Sequence, residues 1–97
     1  MIVYCDIDGC LCTNEQGKYE KAKVYPKAVA KINRLHKLGH KIILWTARGT
    51  TTGKDWKILT EQQLKEWKID YDELKFGKPN YDWYICDKAF TAKEFFK

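Results

Sequence analysis

The sequence predicts an α/β fold, a small doubly wound parallel sheet with helices on both faces. Short apolar runs rich in β-branched and aromatic residues, typical of buried strands, alternate with segments whose apolar residues recur at helical spacing. Consecutive strands joined by helices pair in parallel, and the helices then cover the faces of the sheet. The chain has 97 residues, which suffices for a single domain, 1–97, and leaves no room for a second core.

The first half of the chain contains two predicted strands and one predicted helix. Met1–Cys5 is a short apolar run with β-branched residues, which predicts a buried strand. A helix is predicted from Pro26, because proline is favoured at the first helical position and apolar residues then recur at helical spacing. Gly39 can adopt the left-handed conformation that ends such a helix, and Ile42–Trp45 is the second predicted strand.

The second half repeats this alternation. A second helix is predicted to end near Trp67. Thr60–Gln63 has the form of a capping box, so this helix begins before the box or restarts at it. Tyr71–Phe76 and Asp82–Cys86 have the composition of a third and a fourth strand, and a final short helix is predicted to begin at Thr91.

Composition and charge exclude several classes of protein. The apolar fraction is 44% and the charged fraction is 32%, which is typical of a globular domain and not of a disordered chain. The apolar runs are far shorter than a membrane helix requires and no secretory signal is visible, so we expect a cytoplasmic protein without a membrane partner. Four cysteines without paired C-x-x-C spacing are expected to be reduced thiols, with Cys5 and Cys86 on buried strands.

The net charge of +5 constrains the partner only weakly. The lysines are dispersed along the chain, with neither a basic stripe nor a run of five, which argues against nucleic acid. A basic balance is compatible with an anionic ligand such as a phosphate ester.

Chemically reactive side chains follow the predicted strands. In a parallel sheet, ligands bind beyond the carboxyl ends of the strands, so residues at those ends are expected to share one site. These residues are Asp6 and Asp8 after the first strand, Thr46 and Arg48 after the second, Lys78 after the third and Asp87 after the fourth.

These residue types suit a metal and phosphate site. Asp6 and Asp8 repel each other unless a cation or proton lies between them, and a hard ion such as Mg²⁺ is the natural partner. An aspartate can also attack phosphorus and form an aspartyl phosphate. Thr46 could donate to a phosphate oxygen, Lys78 could neutralise its charge, and Asp87 would be a third carboxylate near a metal. Each residue alone also fits an ordinary role as a cap, a turn residue or a surface charge.

Four motifs, in this order, resemble those of the haloacid dehalogenase-like (HAD) superfamily of Mg²⁺-dependent phosphatases. The motifs are Asp6-Ile-Asp8-Gly9, Leu44-Trp-Thr46-Ala-Arg48, Lys78-Pro79 and Ile85-Cys-Asp87-Lys-Ala89. The stretch 76–89 looks most like the small capless branch known as capsule-biosynthesis phosphatases. The resemblance covers nearly the whole chain and implies a Rossmann-like, HAD-like core without a cap domain.

The resemblance also implies a role for each matched residue. Asp6 is implied to be the nucleophile that takes the phosphoryl group. Asp8 is implied to be the general acid for the leaving oxygen and then the base that activates water. Asp87 is implied to bind Mg²⁺ together with the Asp6 carboxylate and the Asp8 main-chain carbonyl. The phosphoryl oxygens are implied to be held by Thr46, Ala47 and Lys78.

Two positions depart from the family pattern. Cys10 stands where the family usually has Thr or Val, at a site that acts largely through its backbone. Cys86 stands where related chains often have a second acid beside Asp87, which predicts a weaker metal site or help from another group.

The loops around the motifs carry further candidates. Segment 11–24 is predicted to be the family's flap, a short hairpin over the site. Arg48 and Lys54 are candidate contacts to an acidic leaving group, the alternative being surface charges with Arg48 paired locally. Capless relatives accept exposed substrates or complete the site with a neighbouring subunit, so a homo-oligomer stays open.

We therefore expect a phosphatase that hydrolyses a phosphate monoester, a small sugar phosphate or a similar metabolite, in a pathway such as capsule or polysaccharide biosynthesis. One alternative is a phosphatase acting on nucleic-acid phosphate ends, which the basic charge and the aromatic residues favour. The other is a HAD-like binding or regulatory domain with weak catalysis, a reading that the departure at Cys86 motivates.

Overall fold

Three parallel strands form the sheet of the protein, in a computed structural model that describes residues 1–96. Strand β1 covers Ile2–Cys5, β2 covers Lys41–Trp45 and β3 covers Glu73–Lys75, in the spatial order β1-β2-β3. Both pairs of neighbouring strands are parallel, and β1 pairs along its whole length with β2. The predicted parallel sheet is confirmed.

Helices connect these strands. Helix α1 (Pro26–Lys37) lies between β1 and β2, and α2 (Lys57–Glu66) lies between β2 and β3. Helix α3 (Ala92–Phe95) follows Thr91, whose side chain forms a capping box with Glu94, as predicted for the final helix. The α/β fold class is confirmed. Within residues 1–96, none of the helices is both long and apolar enough to pass through a lipid bilayer.

The core forms around β2. Ile42, Ile43 and Leu44 are consecutive and all buried, so both faces of this central strand are covered. Ile42 and Leu44 belong to a cluster that takes side chains from each neighbouring element; it includes Ile7, Leu11, Ile32 and Leu64. Because Ile7 and Leu11 come directly after β1, this cluster also fixes the turn that carries Asp6 and Asp8.

Strand β1 is less buried than its sequence predicts. Ile2 is 67% exposed and Tyr4 is 53% exposed, while Cys5 is buried as expected. The two exposed side chains alternate with Val3 and Cys5, which point toward the core. β1 is an edge strand, so its outer side lacks a neighbour among the residues that the structure describes.

The predicted fourth strand is absent from the described sheet. Asp82–Cys86 has no strand structure, and Trp83 and Ile85 are 85% and 90% exposed, so Cys86 is not on a buried strand either. A parallel crossover needs roughly a dozen residues. Only residues 76–81 separate the end of β3 from Asp82, so this segment has the composition of a strand without a connection long enough for it to join the sheet in parallel.

Segment 11–24, predicted as a flap, folds back on itself. Cys12 and Val24 form an antiparallel bridge, and the Thr13 N–H donates to the Lys23 carbonyl at 2.9 Å. A single 3₁₀ turn, Tyr19–Lys21, lies between these two arms.

Candidate active site

A cleft of about 810 Å³ lies at the carboxyl ends of the three strands. Its lining includes most of the residues predicted for the site: Asp6, Asp8, Ala47, Arg48, Lys54 and Lys78. The structure therefore brings together candidates from three separate strand ends. Thr46 and Asp87 are not among the lining residues.

Asp6 and Asp8 lie in the tight turn that follows β1. The Ile7 side chain between them is fully buried, and its carbonyl accepts main-chain hydrogen bonds from Cys10 (3.2 Å) and Leu11 (2.9 Å). Because Ile7 points into the core, the aspartates on either side of it turn toward the cleft. The Asp6 side chain is 33% exposed and the Asp8 side chain 14%, so both can meet a ligand from a backbone that the core holds in place.

Lys78 supplies a positive charge to Asp6. Its Nζ lies 3.2 Å from Asp6 Oδ2, while Asp6 Oδ1 accepts the Ile7 N–H at 2.8 Å. The Lys78 N–H donates to the Thr46 carbonyl at 3.1 Å, which fixes the loop after β3 against the end of β2. Burial works against the charge of Lys78, but the Asp6 carboxylate raises the pKa of the ammonium above its ordinary value.

Arg48 pairs with Asp8 in the lining of the cleft. Its Nε lies 2.9 Å from Asp8 Oδ2 and its Nη2 lies 2.9 Å from Asp8 Oδ1, a bidentate ion pair. The Arg48 side chain is fully buried. The predicted pairing of Arg48 is observed, but Arg48 is buried and is not the surface charge of that alternative; its contact with a leaving group stays a prediction.

The second side of the Arg48 guanidinium contacts α2. Nη1 donates to Thr60 Oγ1 at 3.0 Å and to Gln63 Oε1 at 2.6 Å. The Gln63 amide donates in turn to the Tyr19 carbonyl at 2.7 Å, and the Arg48 guanidinium lies 4.6 Å from the centroid of the Tyr19 ring. One arginine thus links Asp8, α2 and the flap.

Thr60 and Gln63 were not predicted as site residues. Their spacing in the sequence has the form of a capping box, but α2 begins at Lys57 and both side chains are buried inside the helix. The hydroxyl and the amide serve Arg48 instead of the helix end. The sequence gives one signal for this role. At helical spacing Thr60 and Gln63 share a face with the apolar Leu64, so two polar side chains are expected on the buried side of the helix.

Thr46 and Ala47 follow β2, as predicted, but they differ in access. Thr46 is fully buried, and its Oγ1 accepts the Arg48 N–H at 3.1 Å. Ala47 lines the cleft. Thr46 stabilises the turn that carries Arg48 in this structure, and its contact with a phosphoryl oxygen stays a prediction.

Lys54 lines the cleft, as its loop position predicts. Its Nζ is 4.9 Å from the centroid of the Trp56 ring. The exposed ammonium does not pair with a carboxylate among residues 1–96.

Asp87 is not brought to the other carboxylates. It lies in an exposed turn beside the exposed Cys86. Among residues 1–96, no three His, Cys, Asp or Glu side chains are grouped closely enough to hold a metal ion. The predicted set of Asp6, Asp8 and Asp87 is therefore not assembled, because the segment before Asp87 does not join the sheet.

The donors that remain in the cleft fit Mg²⁺ in part. Mg²⁺ in phosphate sites commonly uses one or two carboxylates, with waters and substrate oxygens completing its shell. Asp6 is the carboxylate best placed for this, since a third of its side chain is exposed in the cleft. Both oxygens of Asp8 already accept hydrogen bonds from Arg48, which leaves its main-chain carbonyl as the contribution expected from that residue.

Three thiols lie near the aspartates and are poor nucleophiles. Burial raises the pKa of Cys5 and of Cys12 to about 12, and that of Cys10 to about 11. A thiol with such a pKa is almost entirely protonated at neutral pH. The carboxylate of Asp6 is the stronger candidate nucleophile in the cleft.

Comparison with solved structures supports the fold. The chain is similar to a crystallised MCSG target from Vibrio cholerae, with a TM-score of 0.85 and 27% sequence identity, over 98% of this chain and 86% of that one. It is also similar to a chain of the Pnkp1/Rnl/Hen1 complex, with a TM-score of 0.64 and 26% identity, over 98% of this chain and 32% of that one. No family model and no curated protein matches the sequence. These likenesses are compatible with the α/β fold and do not identify an activity.

Proposed function

We propose that the protein is a Mg²⁺-dependent phosphatase of the HAD-like kind, which hydrolyses a phosphate monoester through an aspartyl phosphate. One observation carries this proposal. Two carboxylates, each with its own cation, face one cleft at the carboxyl end of a parallel sheet, with Lys78 at Asp6 and Arg48 at Asp8. Phosphoryl transfer depends mainly on positioning and on neutralising charge, and this arrangement can supply both.

The first half of the reaction uses Asp6 as nucleophile. A carboxylate oxygen of Asp6 attacks phosphorus and the bond from phosphorus to the leaving oxygen breaks. Asp8 enters this step protonated, gives its proton to the leaving oxygen, and is left as the carboxylate that pairs with Arg48. Lys78 lies 3.2 Å from Asp6 Oδ2, so it can offset the negative charge of the phosphoryl oxygens as they arrive.

The second half returns the enzyme to its starting state. Asp8 takes a proton from water, the water oxygen bonds to phosphorus, and the bond from Asp6 to phosphorus breaks to release inorganic phosphate. The bidentate pair with Arg48 holds Asp8 in one orientation for this step. When bound, Mg²⁺ would draw charge from the phosphoryl oxygens, with Asp6 as its carboxylate ligand in the described cleft.

A small phosphorylated metabolite, such as a sugar phosphate, is the proposed substrate class. The lining of the cleft is rich in groups that hydrogen-bond hydroxyls, among them Asn14, Thr51, Thr52 and Asn80. A phosphorylated nucleic-acid end is the second candidate. The aromatic side chains Tyr19, Trp56 and Tyr81 in the same lining favour it, since bases stack on such rings.

Turnover of a panel of phosphate esters tests the proposal. The full chain should release inorganic phosphate from an aryl phosphate and from several sugar phosphates with Mg²⁺, and chelation should abolish this. Asp6→Asn should lower kcat by on the order of 10³-fold or more, because the nucleophile is lost. Asp70→Asn, at an exposed carboxylate outside the cleft, is the matched control and should leave kcat unchanged.

Two results would overturn the proposal. A folded chain that binds Mg²⁺ but hydrolyses no ester in the panel, including oligonucleotides with terminal phosphates, points to a binding or regulatory domain. Equal activity in Asp6→Asn and the unchanged chain excludes Asp6 as the nucleophile.

A further inference from the structure

The cleft extends well beyond the two aspartates. Its volume, about 810 Å³, lies in the range of pockets that enclose whole small molecules, so a phosphoryl group at Asp6 fills only part of it. Three residues of its lining, Tyr19, Lys54 and Trp56, lie next to one another through the Trp56 ring, and we call this group the outer subsite. The leaving group of a phosphate ester would lie there.

The lining of the cleft contains one more cationic side chain than carboxylates. Three cationic side chains line it, and two of them pair with the two carboxylates, Arg48 with Asp8 at 2.9 Å and Lys78 with Asp6 at 3.2 Å. Lys54 has no such partner among residues 1–96. An unpaired ammonium in a substrate cleft favours an anionic group on the ligand.

The loop that carries Lys54 is held in shape. The Gly53 N–H donates to the Gly49 carbonyl at 2.8 Å, and the Thr50 hydroxyl donates to the Lys78 carbonyl at 2.8 Å. A methyl group at Gly49 would lie 2.2 Å from the Lys54 carbonyl oxygen, so the loop closes tightly on itself. The backbone at Lys54 is therefore held against the loop that carries Lys78, so part of the entropic cost of bringing the two lysines to one ligand is already met by the fold.

Aromatic rings stand beside this cation. The Trp56 and Tyr19 rings meet edge to face with centroids 4.9 Å apart, and the Lys54 ammonium lies 4.9 Å from the Trp56 centroid. Trp56 is half-buried, so part of its ring faces the cleft. Such a surface binds the flat or apolar face of a ring.

We propose that the outer subsite selects leaving groups that contain a ring and carry a second phosphate, which Lys54 binds while the ring packs on Trp56. The inference rests on the proposed function for its orientation, with the scissile phosphate at Asp6 and the second phosphate at Lys54. A sugar bisphosphate and a nucleoside bisphosphate share this chemistry, and they differ in whether a base is present to stack.

Binding measured without turnover tests the outer subsite. In the Asp6→Asn chain without added Mg²⁺, because the variant lacks the proposed carboxylate ligand of the metal, calorimetry compares fructose 1,6-bisphosphate with fructose 6-phosphate, and adenosine 3′,5′-bisphosphate with adenosine 5′-monophosphate. In at least one pair the bisphosphate should bind about tenfold more tightly, the effect of one charge-assisted hydrogen bond. Lys54→Met in this background should reduce that ratio to about twofold or less while leaving monophosphate affinity unchanged.

Two matched variants make the test specific. Lys57→Met removes an exposed charge nearby that does not line the cleft, and it should preserve the tenfold ratio. Trp56→Leu should weaken the nucleoside pair by about fivefold or more if a base stacks there, and the sugar pair less.

Equal affinity for mono- and bisphosphates in both pairs, or equal loss of the ratio in Lys54→Met and Lys57→Met, overturns the subsite. These outcomes are separate from failure of the phosphatase proposal. If the chain prefers bisphosphates in this way but never releases phosphate, the outer subsite is supported and the phosphatase proposal is refuted.

Discussion

Replacing Arg48 tests the described architecture of the site at its most connected point. The side chain is fully buried and makes two hydrogen bonds to Asp8, one to Thr60 and one to Gln63. Arg48→Met keeps much of the apolar length of the side chain and removes all four bonds. The Asp8 carboxylate is then left with the weak thiol donor of Cys12 at 3.5 Å, and the Gln63 amide oxygen loses its bond to Arg48.

The expected loss of stability follows from these contacts. Removing one partner of a buried ion pair costs about 3–5 kcal/mol. Asp8 retains 14% exposure, so we take the lower end, about 3 kcal/mol, and add about 1 kcal/mol for the Gln63 oxygen. The sum, about 4 kcal/mol, is a large part of the roughly 5–15 kcal/mol by which a domain of this size is stable.

Urea unfolding followed by circular dichroism measures this loss. With a slope of about 2 kcal/mol per M, a loss of about 4 kcal/mol lowers the midpoint by about 2 M. Arg34→Met is the matched control, because Arg34 is exposed on α1 and has no ion pair among residues 1–96; its midpoint should change by less than about 0.3 M.

A smaller response would refute the reasoning. If Arg48→Met lowers the midpoint by less than about 0.5 M, the guanidinium is not the buried link that the distances describe. The double variant with Asp8→Asn adds a second check, since two groups in direct contact should show a coupling energy of at least about 1 kcal/mol.

Three further predictions concern the loop, the thiols and an acid. Gly49→Ala should destabilise the chain by more than the roughly 1–2 kcal/mol that a left-handed alanine costs, because its Cβ would lie 2.2 Å from the Lys54 carbonyl oxygen. Gly53→Ala, where a Cβ meets open space, should cost only that amount. Equal losses in the two variants would contradict the tight loop. With Ellman's reagent at pH 8, Cys86 should react fast and the other three thiols slowly, because burial raises the pKa of Cys5, Cys10 and Cys12. Cys86→Ser should remove the fast phase. A second fast-reacting thiol would contradict the described burial of these three cysteines. A hydrogen bond from a main-chain N–H of β2, together with a neighbouring histidine, lowers the pKa of Asp72. Its stabilisation is therefore complete above roughly pH 4 and is lost as the pH falls through the lowered value; Asp72→Asn should flatten the fall of the unfolding midpoint below that pH, and an unchanged slope would show that Asp72 contributes nothing.

Local patterns in the sequence predicted much of the fold. The apolar run before Asp6 and the one at Ile42 correctly indicated strands, because burial imposes a composition that can be read within a few residues. Pro26 marked the first residue of α1, and Thr91 marked the start of α3, since caps are also local. The gathering of Asp6, Asp8 and Lys78 in one cleft followed from a general rule, that parallel strands end at the same edge of a sheet.

The fourth strand shows where local patterns are insufficient. Trp83, Tyr84 and Ile85 have the composition of a strand, yet a strand exists only if a neighbour pairs with it. The short connection after β3 does not place this segment beside β1, so Asp87 stays away from Asp6 in the described chain. Ile2 and Tyr4 are exposed for a different reason, since they point to the face of β1 opposite the core cluster.

The sequence by itself determined the order of the first three strands and of the three α-helices, the motif residues and the edge of the sheet at which most of them meet. The tertiary structure alone decided what those residues touch. Arg48 and Asp8 are 40 positions apart, and Gln63 lies a further 15 positions along the chain from Arg48. Whether an arginine faces a substrate or a buried carboxylate depends on which side chains packing brings within about 3 Å of it. That choice is made by the whole fold, because burying an arginine is tolerable only where every donor finds an acceptor.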